Sequence, residues 1–71
     1  MRIHGKVTAW NAERGFGFAK RDDGLGDVFI HIKELRDRER AELAIGEAVE
    51  FDLGRNARDG RECALDVATG G

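Results

Sequence analysis

Hydrophobic and polar positions alternate with period two along most of this chain, the pattern of half-buried β-strands. In RIHGKVTAW, residues 2–10, Ile3, Val7 and Ala9 share one parity, while His4, Lys6, Thr8 and Trp10 share the other. GFGFAK, 15–20, sets Phe16, Phe18 and Lys20 against Gly15, Gly17 and Ala19. VFIHI, 28–32, sets Val28, Ile30 and Ile32 against Phe29 and His31, and its β-branched and aromatic content suits a strand. EAVEFDL, 47–53, and ECALDV, 62–67, place Val49, Phe51, Leu53, Cys63, Leu65 and Val67 on inward faces. Between the five predicted strands lie a polar turn at 11–14, the glycine-bearing turn RDDGLGD at 21–27 and a hairpin loop, GRNARDGR, at 54–61. KELRDRERAEL, 33–43, has helix-forming composition but only Leu35, Ala41 and Leu43 as apolar residues. It predicts a short helical turn at 33–36 and then a long exposed loop.

Five short strands in 71 residues leave long sheet edges unless the sheet closes on itself. The expected fold is therefore all-β, a small five-stranded antiparallel barrel of the OB type, forming one domain over 1–71 that is ordered from about 2 to 68. Its expected core is Val7, Ala19, Val28, Ile30, Val49, Phe51, Leu53, Cys63, Leu65 and Val67.

That core decides where the rings point. If Val28 and Ile30 face inward, Phe29 and His31 face outward. Lys20 belongs in water and shares parity with Phe16 and Phe18, which turns both phenylalanines outward and leaves glycines facing the tightly curved interior. By the same parity Val7 and Ala9 go in, and Trp10 goes out beside Lys6 and Thr8. The expected outer face carries Trp10, Phe16, Phe18, Phe29 and His31, edged by Lys6, Arg14 and Lys20. Taken alone, Phe16 or Phe18 fits a core better than a platform, and His31 fits an ordinary surface or hydrogen-bonded histidine. Agreement among three strands read separately favours a binding face. Flat rings interleaved with cations suit single-stranded nucleic acid, whose bases stack while the cations meet phosphates.

Composition changes this picture little. The chain has 12 basic and 14 acidic residues and a net charge of −2, a mild argument against a nucleic-acid partner. Net charge, however, says little about one face of a folded domain. Cys63 is the sole cysteine, which excludes an intramolecular disulfide and fits a reducing, cytoplasmic setting. No apolar run is long enough to span a membrane. No nucleophile arrangement, metal-ligand spacing with His4 or phosphate-binding loop is present, so neither an enzyme nor a cofactor is expected.

GKVTAWNAERGFGFAK and DVFIHI resemble the two ribonucleoprotein motifs of the bacterial cold-shock domain, RGFGFA at 14–19 matching the first and VFIHI at 28–32 the second. The two motifs stand in order and at the family's separation, and the likeness runs from Gly5 to Val67. It implies a five-stranded OB barrel that binds single-stranded RNA or DNA with little sequence preference, often favouring pyrimidine-rich stretches. It further implies an RNA chaperone or a regulator of transcription or translation, as a monomer or a strand-swapped dimer. Carried over by position, Trp10, Phe16, Phe18, Phe29 and His31 are the stacking residues. Arg14 stands for a lysine near phosphates or bases, and Asp27 for an aspartate that accepts a hydrogen bond from a base edge. The pattern also resembles cold-shock domains at the N-terminus of longer bacterial proteins.

The chain departs from the family in four places. Thr8, Ala9 and Trp10 stand where lysine, tryptophan and phenylalanine are usual. Ile32 replaces an aromatic residue, and Arg40 replaces another in the long loop, where its guanidinium plane can stack. The loop at 54–61 is slightly long and carries Arg55, Arg58 and Arg61. An exchange of rings for arginines, Arg40 and Arg58 among them, implies weaker stacking and steeper salt dependence than in a typical member. The competing reading is a barrel whose reduced aromatic face docks a protein.

Overall fold

The computed structural model describes residues 2–37, 42–56 and 60–69. Five strands form: β1 (Ile3–Asn11), β2 (Phe16–Arg21), β3 (Asp27–His31), β4 (Ala48–Arg55) and β5 (Glu62–Thr69), with one 3₁₀ turn at Ile32–Glu34. They close in the order β1-β2-β3-β5-β4, β4 pairing back onto β1. All pairings are antiparallel except the short parallel contact of β3 with β5, made at Phe29 and Cys63. This is the OB-type barrel that the alternation predicts, and closure removes every free edge.

Val7, Ala19, Val28, Ile30, Val49, Phe51 and Val67 fill the interior as expected. Three expected core residues do not join them: Leu53 and Leu65 are each 38% exposed, and Cys63 is half-buried. Ala64 is buried instead. Leu53 lies beyond Phe51, the last β4 residue paired with β1. For Cys63 and Leu65 the cause is a bulge in β5. Glu50 pairs with Ala68 but Asp52 pairs with Leu65, so Asp66 and Val67 together stand opposite Phe51. Asp66 takes the left-handed conformation, φ 51°, which aspartate tolerates better than most side chains. Beyond it the parity of β5 inverts, and the side chains expected inside turn outward.

The predicted exposed loop also differs. Leu35 and Leu43 are 2% and 3% exposed, and Leu35 bridges to Val67. Both join the hydrophobic core cluster.

Two ion-pair groups fasten the connections. Arg21, nearly buried, grips Asp23 with two hydrogen bonds, 2.6 Å from Nη2 and 3.1 Å from Nε, and reaches Glu62 at 3.3 Å through Nη1. It ties the β2–β3 turn to the start of β5. Hydrogen bonding to Arg21 holds the Asp23 carboxyl below its ordinary range. At the β5 bulge, Arg36 donates to both Asp66 oxygens, at 2.7 and 3.1 Å, while Arg2 donates to the Asp66 and Glu50 carbonyls at 2.8 and 3.0 Å. Hydrogen bonding to Arg36, the larger effect, holds the Asp66 carboxyl low as well.

Gly17 marks the tightest place in the wall. A Cβ there would overlap the Ala9 carbonyl oxygen and stand 2.5 Å from Trp10 Cε3. Gly17→Ala is expected to destabilise the fold by about 1–3 kcal/mol, read as a lower urea midpoint at unchanged slope.

The bulge gives a second test. A carboxylate with a lowered folded pKa stabilises above its unfolded range, and that contribution is lost as pH falls through the folded value. Asp66→Asn keeps a side chain that tolerates the left-handed backbone but removes the charge. It should lower the urea midpoint at pH 7, and the gap from the parent should close as pH is taken below about 4. A gap that persists in acid would assign the effect to backbone or packing.

Candidate nucleic-acid interface

The outer surface of β1, β2 and β3 is a grid of cross-strand partners, whose side chains project to the same side. Phe16 faces His31, Phe18 faces Phe29, and Lys20 faces Asp27. On the β1 side, Lys6 faces Lys20, Ala9 faces Phe18, and Asn11 faces Phe16. The intervening residues Gly17, Ala19, Val28 and Ile30 are all buried, so the rings have only the outer side to occupy.

Phe29 is the hub. Its ring centroid lies 5.6 Å from that of Phe16, 5.7 Å from Phe18 and 6.3 Å from His31, at interplanar angles of 32°, 71° and 48°. Each of the four rings is half-buried, propped at its sides by its neighbours with part of its surface open. His31 is further held by its Nδ1, which accepts the Lys33 backbone N–H at 3.1 Å and caps the 3₁₀ turn. That bond fixes the ring plane at the end of the row.

Cations border the rings. Lys6 and Lys20 are exposed and directly opposed, and Lys6 Nζ lies 3.8 Å from Asp22. With Thr8, Arg21, Asp22 and Gly24 they line a shallow groove of about 420 Å³. Like charges directly opposite one another disfavour the free barrel and favour an anion laid across them. Arg14 is exposed in the β1–β2 turn, which is held by Asn11: its carbonyl accepts the Gly15 N–H at 2.8 Å and its Oδ1 the Arg14 N–H at 3.1 Å.

Trp10 is the correction. The register of β1 against β2 slips after Val7, so that Ala9, not Thr8, faces Phe18, and Trp10 faces Gly17. Thr8 is the additional residue of a bulge, and beyond it inside and outside exchange. Ala9 is exposed on the platform; Trp10 is half-buried on the inner side, packed against the core over Gly17. Its Nε1 is buried with no hydrogen-bond partner among the described residues. Parity counted from Val7 misses this because a bulge leaves no mark in alternation alone. Glycine at 17, opposite a tryptophan, is the available hint.

The structure thus brings together Lys6, Phe16, Phe18, Lys20, Asp27, Phe29 and His31, with Arg14 at the edge. Arg40 and Arg58 lie outside the described residues. Of the loop arginines the sequence singles out Arg58; folding sets Arg61 beside the rings, in a shallow pocket of about 160 Å³ shared with Phe18, Phe29 and Asn56. A neighbouring pocket of about 280 Å³ is lined by Phe18, Asp27, Phe29, Arg61 and Glu62. Arg55, by contrast, is turned back onto the Gly60 carbonyl at 2.8 Å.

Comparison with known proteins agrees with this fold. The family model described as the 'Cold-shock' DNA-binding domain matches residues 3–69. Glycine-rich protein 2 of Nicotiana sylvestris is 41% identical over 67 residues, covering 94% of this chain and 31% of that protein. Probable cold shock protein y4cH of Sinorhizobium fredii is 36% identical over 64 residues, 90% of this chain and 93% of the relative. Cold shock-like protein CspC of Bacillus cereus is 43% identical over 56 residues, 79% and 85% of the two chains. The chain therefore spans under a third of the plant protein and most of each bacterial one. With the barrel, the ring grid and a match over nearly its whole length in agreement, the chain belongs to the cold-shock domain family of nucleic-acid-binding proteins.

Proposed function

We propose that the chain binds single-stranded RNA or DNA by stacking bases on Phe16, Phe18, Phe29 and His31, with Lys6, Arg14 and Lys20 on the phosphates. The observation that carries this reading is the position of Phe29, in contact with three other rings on the outside of a barrel whose interior is already filled. Rings laid out in rows match the π-faces of successive bases, which are accessible only when the strand is unpaired. The groove at Lys6 and Lys20 continues the line of rings and suits the backbone.

A protein that captures unpaired strands draws weak hairpins open by mass action. We assign the chain that role, an RNA chaperone acting on transcription or translation in the cytoplasm. Stacking sets no strong sequence rule, and a pyrimidine-rich strand, poorly stacked on itself, is the least costly to capture. Ala9 opposite Phe18, where the family usually has a tryptophan, leaves one position of the platform without a ring.

Anisotropy of labelled oligo-dT and oligo-U checks the reading directly. Phe29→Ala removes the hub and is expected to weaken binding by about 1–3 kcal/mol, on the order of 5- to 150-fold; Phe16→Ala, at the margin, should cost less. Affinity should fall with salt at a log–log slope of about −2, and Lys20→Met should flatten that slope by roughly 0.7. Absence of binding to either oligonucleotide at high micromolar protein would favour the protein-docking reading. A fluorophore–quencher hairpin of marginal stability should open as protein is added and stay closed with Phe29→Ala.

A further inference from the structure

The ring grid stops at a turn that is tightly fastened and yet apolar at its tip. Along β2 and β3 the paired rows run from Phe16 and His31, through Phe18 and Phe29, to Lys20 and Asp27, and the turn that joins the two strands follows. Leu25 stands in that turn, 69% exposed, more than any other large hydrophobic residue among those described. One exposed leucine is ordinary on a protein surface. What sets Leu25 apart is how firmly its backbone is held. Asp23 Oδ1 accepts the Leu25 N–H at 3.0 Å, and the Asp23 carboxylate is itself gripped by Arg21. The Arg21 N–H donates to the Gly26 carbonyl at 2.9 Å, and the Gly24 N–H to the Arg21 carbonyl at 3.2 Å. The Asp22 N–H ties the turn to the His4 carbonyl on β1 at 2.9 Å. A Cβ at Gly24 or at Gly26 would meet nothing within 4 Å, so the tip stands clear of the barrel wall.

The tip is also continuous with the ligand face. Gly24, the residue before Leu25, lines the groove shared by Lys6, Thr8 and Lys20. A strand stacked on the rings, with its phosphates at the lysines, therefore leaves the platform beside Leu25. Where that strand is still paired further along, the first base pair of the duplex arrives at a firmly mounted apolar side chain. Leucine is among the residues that wedge between stacked bases, and the apolar surface it covers there offsets part of the cost of unstacking. A side chain on a yielding loop would be pushed aside; the Arg21–Asp23 clamp resists that. We propose that Leu25 is a strand-separating wedge at the junction between captured single strand and duplex. The proposal rests on the stacking function above and gives it a direction, because the wedge stands at one end of the ring row.

Two hairpins test it, with the same stem, a fluorophore–quencher pair across that stem, and a TTTTTTT tail at the 5′ end of one and the 3′ end of the other. Only one tail polarity brings the stem to the Leu25 end of the rings. That hairpin is expected to be half-opened at a protein concentration about 5-fold lower than the other. In Leu25→Ser the two hairpins should converge, while affinity for free TTTTTTT, read by anisotropy, and the urea midpoint stay unchanged. Leu25→Met, which keeps the apolar bulk, should retain the difference. A polarity difference that persists in Leu25→Ser, or that Leu25→Met loses as fully, overturns the wedge. Equal opening of both hairpins by the parent protein also overturns it, as does a loss of TTTTTTT affinity in Leu25→Ser as large as the loss of opening; in each case the stacking function stands. Failure of the parent to bind TTTTTTT overturns stacking function and wedge together.

Discussion

A side chain at position 17 has no space to occupy. The Ala9 carbonyl and the Trp10 ring already fill the volume where its Cβ would be, and that exclusion governs the arrangement of the whole face. With glycine at 17 and alanine at 19 on the inner side of β2, the strand packs tightly against its neighbours. Its bulky residues then have one outlet, toward solvent. β3 lies in register with β2, so the same exclusion aligns Phe29 with Phe18 and His31 with Phe16. The ring platform is the outward counterpart of a wall that admits almost nothing inward. Binding and folding are therefore coupled at β2, because the glycines that close the barrel also spread the rings.

Charge is arranged by side. Glu50, Asp52 and Asp66 gather around Arg2 and Arg36, and Glu34 accepts the Asp66 N–H, so this side keeps an excess of negative charge while its ion pairs hold the β5 bulge. Lys6, Lys20 and Arg14 border the rings instead. The slightly acidic total is thus a poor guide to the side offered to a ligand, where Asp22 and Asp27 stand among the cations. Arg21 belongs to the first group although it lines the second group's groove, since its guanidinium is committed to Asp23 and Glu62.

Much of this was legible from alternation. The strands, the barrel, seven of the interior residues and the outward turn of Phe16, Phe18, Phe29 and His31 follow from period-two parity and from the need to keep Lys20 in water. Parity failed at two bulges, and at Leu53, which lies beyond the β1–β4 ladder. The Thr8 bulge reversed Ala9 and Trp10, and the Asp66 bulge turned Cys63 and Leu65 outward and brought Ala64 in. A bulge is a property of two strands together, and a single strand's pattern does not encode it. Leu35 and Leu43 were hidden differently: they stand in a charged segment without periodicity, and only the folded barrel gives them a core to join. Arg58 was preferred to Arg61 because loop closure, which no spacing rule describes, decides which of several arginines meets the rings.

The bulge at Thr8 also separates how many aromatic residues a strand contains from how many it displays. One offset between β1 and β2 decides whether an indole is masonry or furniture. Two relatives with the same aromatic residues in the same order can thus present ligand surfaces of different extent. A census of rings taken from aligned sequences would miss this, since what changes is the pairing between neighbours and not the residues themselves.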